Sequence, residues 1–172
     1  MNSKIANKIQ YRKKPNDIKY TPIEVAKDCI QFTKPFIQPT DILLEPFSGK
    51  DAFYNNFPIE NPKLWCEIDR DKDFFDFKGE VDWIITNPPY SIFNKIIDKI
   101  ISTSRKGFCL LLNNLTLTPA RLDNINNKGF YISFLYYFKV HTWFGFQYYY
   151  IFEKRKDKIN KLELKFKRSH YF

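Results

Sequence analysis

The sequence has no run of residues that could cross a membrane as a helix. Its longest apolar stretches, at 83–86 and 108–112, fall far short of the roughly 18 residues a span needs. The lysine-bearing amino terminus is not followed by an apolar signal core. The chain is therefore expected to be soluble and intracellular, in the cytoplasm of its host or host cell, with no membrane partner. It also lacks any C-x-x-C pair. Cys29, Cys66 and Cys109 each stand alone in an apolar stretch, which argues against a disulfide frame or a zinc site and predicts small buried side chains. No metal site is expected. No internal repeat is visible, so a solenoid is excluded, and 172 residues, 44% of them hydrophobic, make about one domain with one sizeable core.

What is present is unevenly placed charge. Residues 1–20 carry six basic groups against Asp17, and residues 154–172 carry eight against Asp157 and Glu163. The 133 residues between them sum to −2, so the whole formal excess of +9 lies at the two ends. Basic ends on a near-neutral body suit a polyanionic partner, and equally suit solvated tails. Three segments are expected: a basic arm at 1–19, a catalytic domain at 20–153 and a basic tail at 154–172. Within the tail Leu162, Leu164 and Phe166 alternate with Glu163, Lys165 and Lys167, like a further strand packed on the sheet or on a second copy of the chain.

Between the ends the pattern is that of a layered α/β domain. Thr21, Pro22 and Glu24 read as N-cap, first helical position and capping-box acid of a helix reaching Phe32, with Ile23, Ala26, Ile30 and Phe32 toward the core. Residues 41–45, 63–67, 82–86 and 107–112 are short apolar runs bounded by turn or charged residues and read as buried strands. A helix starting at Ser91 places Ile92, Phe93, Ile96, Ile97, Ile100 and Ile101 at helical spacing. Pro119 opens a further short helix, to about Asn126, capped by Thr118. Continuous apolar strands separated by helices predict a mostly parallel sheet covered on both faces. The aromatic stretches 130–140 and 146–152, joined by a short link, predict an antiparallel hairpin appended to it.

In open α/β sheets, ligands occupy the crevice beyond the carboxyl ends of the strands. Three such ends carry unusual residues. The first is Glu45-Pro46-Phe47-Ser48-Gly49, an acid and a glycine turn after a strand. The second is Glu67-Ile68-Asp69, where a carboxylate can accept both hydroxyls of a ribose. The third is Asn87-Pro88-Pro89-Tyr90. Its two prolines fix the backbone and hold Asn87 extended. The Asn87 amide oxygen and the Pro88 carbonyl can then act together as acceptors for an exocyclic amino group, leaving the nitrogen lone pair aimed outward for in-line attack on a methyl group. Tyr90 offers a face on which a base can stack. The bland alternative is a strand-ending turn with a helix cap at Ser91.

These motifs, with Tyr20-Thr21-Pro22-Ile23-Glu24-Val25-Ala26 before them and Asp73-Phe74-Phe75 between the last two, resemble in order those of S-adenosylmethionine-dependent adenine-specific amino-methyltransferases of DNA, the small phage or virus-type members most of all. The resemblance covers roughly residues 20–104. It implies a Rossmann-like class I methyltransferase fold with a seven-stranded sheet. It implies that Thr21, Pro22, Glu45, Pro46, Phe47, Ser48 and Gly49 flank the methionine part of S-adenosyl-L-methionine. Glu67 and Ile68 would then lie at its ribose and Asp73 and Phe74 at its adenine, while Asn87, Pro88, Pro89 and Tyr90 take the target base. The expected partner is nucleic acid, DNA ahead of RNA. The same tetrapeptide marks glutamine methyltransferases acting on release factors and relatives that modify RNA. A non-catalytic nucleic-acid-binding subunit is the rival of another class.

The sequence departs from the family in three places. Asp51 stands where a second glycine is usual, and its carboxylate would repel that of the cofactor. Only 20 residues separate Glu67 from Asn87, and 51–57 leaves little room for a first crossover helix, so trimmed connections are expected. About 19 residues follow Glu153, too few for the family's target-recognition domain. Target choice is then expected from loops, tails, a homodimer or a partner subunit.

Overall fold

A computed structural model describes residues 20–172; the expected basic arm at 1–19 lies outside the described residues. The first helix among the described residues, α1 (Ile23–Thr33), starts one residue later than its sequence signals suggest. Pro22 (φ −58°, ψ 142°) is the N-cap, and its carbonyl accepts the first helical bond from Ala26 N–H at 3.1 Å. The expected capping box is not formed, and the Thr21 hydroxyl is turned to another use. The buried stripe is rotated as well. Val25, Ala26, Cys29, Ile30 and Thr33 face the core, Ile23 is exposed, and Phe32 packs at the margin against Phe134.

Seven strands follow: β1 (Leu43–Glu45), β2 (Lys63–Trp65), β3 (Val81–Thr86), β4 (Ser104–Asn113), β5 (Phe130–Phe138), β6 (Gln147–Lys154) and β7 (Glu163–Phe166). They form one sheet in the order β2-β1-β3-β4-β6-β5-β7. Only β6 is reversed, being antiparallel to both β4 and β5. The mostly parallel sheet with a carboxyl-terminal hairpin is as expected. The hairpin link is tied by Gln147, whose Oε1 accepts from Val140 N–H at 2.8 Å.

One strand differs from the sequence expectation, and two connections are trimmed as expected. The run 63–67 is not a buried strand but the short edge strand β2, with Leu64 exposed and no described strand beyond it in the sheet. Between β2 and β3 the chain makes only two single 3₁₀ turns, Ile68–Arg70 and Phe74–Asp76. The first crossover is likewise reduced to the 3₁₀ turn Tyr54–Asn56. The sheet still reaches seven strands because β7, from the carboxyl tail, adds parallel to β5 at the far edge. The helix expected at Ser91 opens with a 3₁₀ turn, Tyr90–Ile92, before α2 (Phe93–Thr103). In α3 (Pro119–Asn127) the Thr118 hydroxyl accepts from Arg121 N–H, as expected of its cap.

The sheet separates two cores. On one face α1 packs over Leu43, Trp83, Ile85, Cys109, Leu111 and Tyr149. On the other, Phe93, Ile96, Ile97 and Ile100 of α2 and Ile125 of α3 cover Leu44, Ile84, Phe108, Leu110 and Phe152. All three cysteines are free and buried. The polar groups in the first core are paired: Thr33 Oγ1 donates to Cys29 O at 2.9 Å and lies 2.6 Å from the Tyr149 hydroxyl. Among the described residues no helix is long and apolar enough to cross a membrane, and no group of His, Cys, Asp and Glu side chains is placed to hold a metal ion.

Candidate active site

Because β1, β2 and β3 are parallel neighbours, their carboxyl ends open on one side of the sheet, and the three unusual sequences converge there. One pocket is lined by Pro46 and Phe47 from the first end, by Ile68, Asp73, Phe74 and Phe75 from the second, and by Pro89 and Ile92 from the third. Phe47 meets Phe74 edge-on at 5.5 Å. The pocket is small and mostly apolar, with Asp73 the single carboxylate among its lining residues. Asp73 also shapes that lining, its Oδ1 capping the 3₁₀ turn by accepting from Phe75 N–H at 2.9 Å. Phe75, quoted with its motif but given no role, and Ile92 also line the site; the helical periodicity of Ile92 marks it only as core.

The glycine turn beside the pocket is built around acids. Gly49 sits at φ 53°, and a β-carbon there would meet the Tyr20 ring at 3.3 Å. Asp51 adopts φ 62°, the left-handed conformation that Asp tolerates better than most residues. Its carboxylate is not left to repel a neighbour. Arg70 donates to both Asp51 oxygens, at 2.6 and 3.1 Å, and also bonds the Ser48 hydroxyl. The guanidinium lies over the Trp65 ring, 4.1 Å from its centroid. Sequence reasoning misses Arg70 because its pairing with Asp51 spans 19 positions and exists only once β1 and β2 are side by side.

Two further acids divide the work. Glu45 is buried at the end of β1, and burial pushes its carboxyl up to about 9, even though Tyr54 N–H donates to its Oε2 at 2.6 Å. It is therefore neutral near pH 7. Glu67 is also buried, and it has partners within the protein. Gly49 N–H donates to Glu67 Oε2 at 2.6 Å, and Asp69 N–H approaches Oε1 at 3.5 Å. Glu67 thus ties the end of β2 to the glycine turn of β1.

At the third end Asn87 is held from two directions. Its Nδ2 donates to Thr21 Oγ1 at 3.2 Å, and its Oδ1 accepts from the Tyr90 hydroxyl at 3.0 Å. The Tyr90 hydroxyl also lies 3.4 Å from Leu111 O on β4. Pro88 and Pro89 between them are buried. Thr21, Asn87 and Tyr90 therefore form one cluster across 66 residues of sequence. Pro22 stands next to it as the cap of α1.

No family model matches this chain, and no curated protein matches it. Solved structures do. A candidate class I S-adenosylmethionine-dependent methyltransferase from Listeria monocytogenes superposes with a TM-score of 0.68 at 11% identity, over 94% of this chain and 69% of the other. A candidate RNA methyltransferase from Pyrococcus horikoshii gives 0.62 at 14% identity, over 90% and 98%. The M protein of the type I restriction enzyme EcoKI gives 0.58 at 10% identity, over 80% and 44%. The chain has the class I methyltransferase fold. On that fold the crevice just described lies beyond the carboxyl ends of the strands, where open α/β sheets place their ligands.

Proposed function

We propose that this chain is an S-adenosylmethionine-dependent methyltransferase that acts on the exocyclic amino group of adenine in nucleic acid, DNA ahead of RNA. The observation that carries the reading is the Thr21–Asn87–Tyr90 cluster beside a mostly apolar pocket that opens at the same strand ends.

The residues present fit the cofactor. Phe47, Phe74 and Pro89 gather beside Asp73 at the strand ends, where an adenine would find apolar surface and a carboxylate acceptor. Glu67 stands at the end of β2, where a ribose would present its hydroxyls. Arg70 neutralises the Asp51 carboxylate, which would otherwise oppose the methionine end. When bound, the cofactor supplies a methyl group on a positively charged sulfur. The chain's own task is to present the nucleophile. Asn87 Oδ1, oriented by Thr21, and the Pro88 carbonyl would accept the two amino hydrogens, so that the nitrogen lone pair points along the line of attack. The Tyr90 hydroxyl holds Asn87 Oδ1 in this structure and must yield it to the incoming amine, while the ring remains for stacking. No strong base is needed, because the amine becomes acidic as it takes up the methyl group.

The motif resemblance and the likeness to a restriction-enzyme M protein support DNA, and the likeness to a candidate RNA methyltransferase supports RNA. The pairing of Asp51 with Arg70 weakens the rival reading of a non-catalytic subunit, since an unpaired carboxylate at the turn is the main support for it. The test is incubation with labelled methyl donor and separate DNA, RNA and protein pools, followed by nucleoside analysis. Label is expected in methylated adenine, and Asn87→Ala should abolish it while leaving cofactor affinity by calorimetry unchanged. Label on protein glutamine, or cofactor binding without transfer to any pool, would overturn the proposal.

A further inference from the structure

We infer that the outer edge of β7 pairs with the same edge of a second copy of this chain, antiparallel and centred on Leu164, joining the two sheets into one. This rests on the edge alone and is independent of the methyltransferase reading.

Backbone direction comes first. Lys161 N–H donates to Ile132 O and Lys167 N–H to Tyr137 O, at 2.9 and 3.0 Å, while β7 runs parallel to β5 between them. Odd-numbered residues therefore turn their amides toward β5, and the two-residue period turns those of Leu162, Leu164 and Phe166 outward. No described residue pairs with that outer side. The side chains come second. Leu162, Leu164 and Phe166 are each more than half exposed and share one face, continuous with Leu135 and Tyr137, the register partners of Leu164 and Phe166. The other face carries Glu163 and Lys165, paired with each other at 3.3 Å and both exposed.

Two identical edges meeting about a two-fold axis must run antiparallel. If the axis passes between residues, outward amides face inward ones and no ladder forms. If it passes through Glu163 or Lys165, that residue faces its own copy and like charges oppose. Through Leu164, the leucine faces its copy, Leu162 faces the partner's Phe166, and Glu163 faces the partner's Lys165. This register brings roughly six interchain hydrogen bonds, a continuous apolar stripe and two ion pairs. Lysines on an edge usually discourage pairing; here Lys165 selects the register, because an acid stands opposite it.

The test is sedimentation of the full chain across a concentration series, with circular dichroism confirming the fold. A concentration-dependent dimer is expected. Glu163→Lys or Lys165→Glu alone sets like charges opposite each other twice and should raise the dissociation constant by about tenfold or more. The double variant Glu163→Lys/Lys165→Glu should return it to within about threefold of the parent. Leu164→Pro removes an outward N–H while sparing the ladder to β5, and should leave monomer. A monomer at every concentration, a dimer indifferent to the single reversals, or a double variant no better than the singles would each overturn the inference.

Discussion

Asp51 takes the left-handed conformation that a glycine would have taken, and its carboxylate survives beside the site because Arg70 grips both oxygens. The pair is partly exposed, so its worth lies in cancelling charge at the turn more than in stability. Arg70→Ala should weaken cofactor binding by about fivefold, in line with an ion pair of about 1 kcal/mol. Asp51→Gly in the same chain should recover most of that loss. Calorimetry on the four members of the cycle decides the point: a double variant as weak as Arg70→Ala would mean that the guanidinium touches the cofactor directly. Tyr90 presents a different division within one side chain. On the proposed reading its ring would stack on the base, and its hydroxyl occupies the acceptor that the base would need. Tyr90→Ala should therefore cost about 1 to 3 kcal/mol of base binding, whereas Tyr90→Phe should leave the affinity for an oligonucleotide unchanged or tighter. Equal damage in the two variants would assign the hydroxyl to the substrate.

At the scale of elements, the entry to α1 shows how a correct motif can carry a wrong local reading. Thr21-Pro22-x-Glu24 has every mark of a capping box, yet Pro22 already supplies the cap geometry and the first acceptor. The hydroxyl of Thr21 is thereby released to orient Asn87. Thr21→Val keeps the shape and loses that bond. It should lower kcat by roughly five- to tenfold, the scale of one hydrogen bond of about 1 kcal/mol, without changing helix content or cofactor affinity, and Thr21→Ser should restore the rate. A loss of helix content instead would return Thr21 to a capping role. The hairpin, α3 and its cap, and the strands β1, β3 and β4 were legible because their apolar patterns and turn residues are local. The edge position of β2 was not, since Lys63-Leu64-Trp65 reads as buried or exposed only according to what lies beyond it in the sheet. The partners of Glu67 and the pairing of Arg70 with Asp51 were hidden for the same reason: both need β1 and β2 side by side. Asn87-Pro88-Pro89-Tyr90 stood out because its chemistry resides in four consecutive residues.

On the scale of the molecule, the cations do not all serve one surface. Arg105, Lys106, Lys154, Arg155 and Lys156 line a wide cavity of about 500 Å³. Arg105 and Lys106 stand at the start of β4 and Lys154 at the end of the reversed β6, so the cavity lies at the opposite end of the sheet from Asn87. The registers put about six residues of strand, roughly 20 Å, between them. Further along the tail four cations are already engaged: Arg155 and Lys161 with Asp157, Lys165 with Glu163, and Lys167 with Asp28. A nucleic acid seated at Asn87 should therefore draw little on these groups. The cations Lys4, Lys8, Arg12, Lys13 and Lys14 precede Thr21 in the sequence. Each phosphate that a cation engages steepens the dependence of log affinity on log salt by about 0.7 to 0.9. Removing residues 1–14 should flatten that slope by this amount for every phosphate left without its cation, with cofactor affinity unchanged. Lys154→Ala/Lys156→Ala should leave the slope within error of the parent. A titration of all three proteins across salt checks both statements. If the double substitution flattened the slope by about 1.4 to 1.8 and the truncation did not, the nucleic acid would have to run over the far end of the sheet, and its path from there to Asn87 would have to follow the tail rather than the amino-terminal arm.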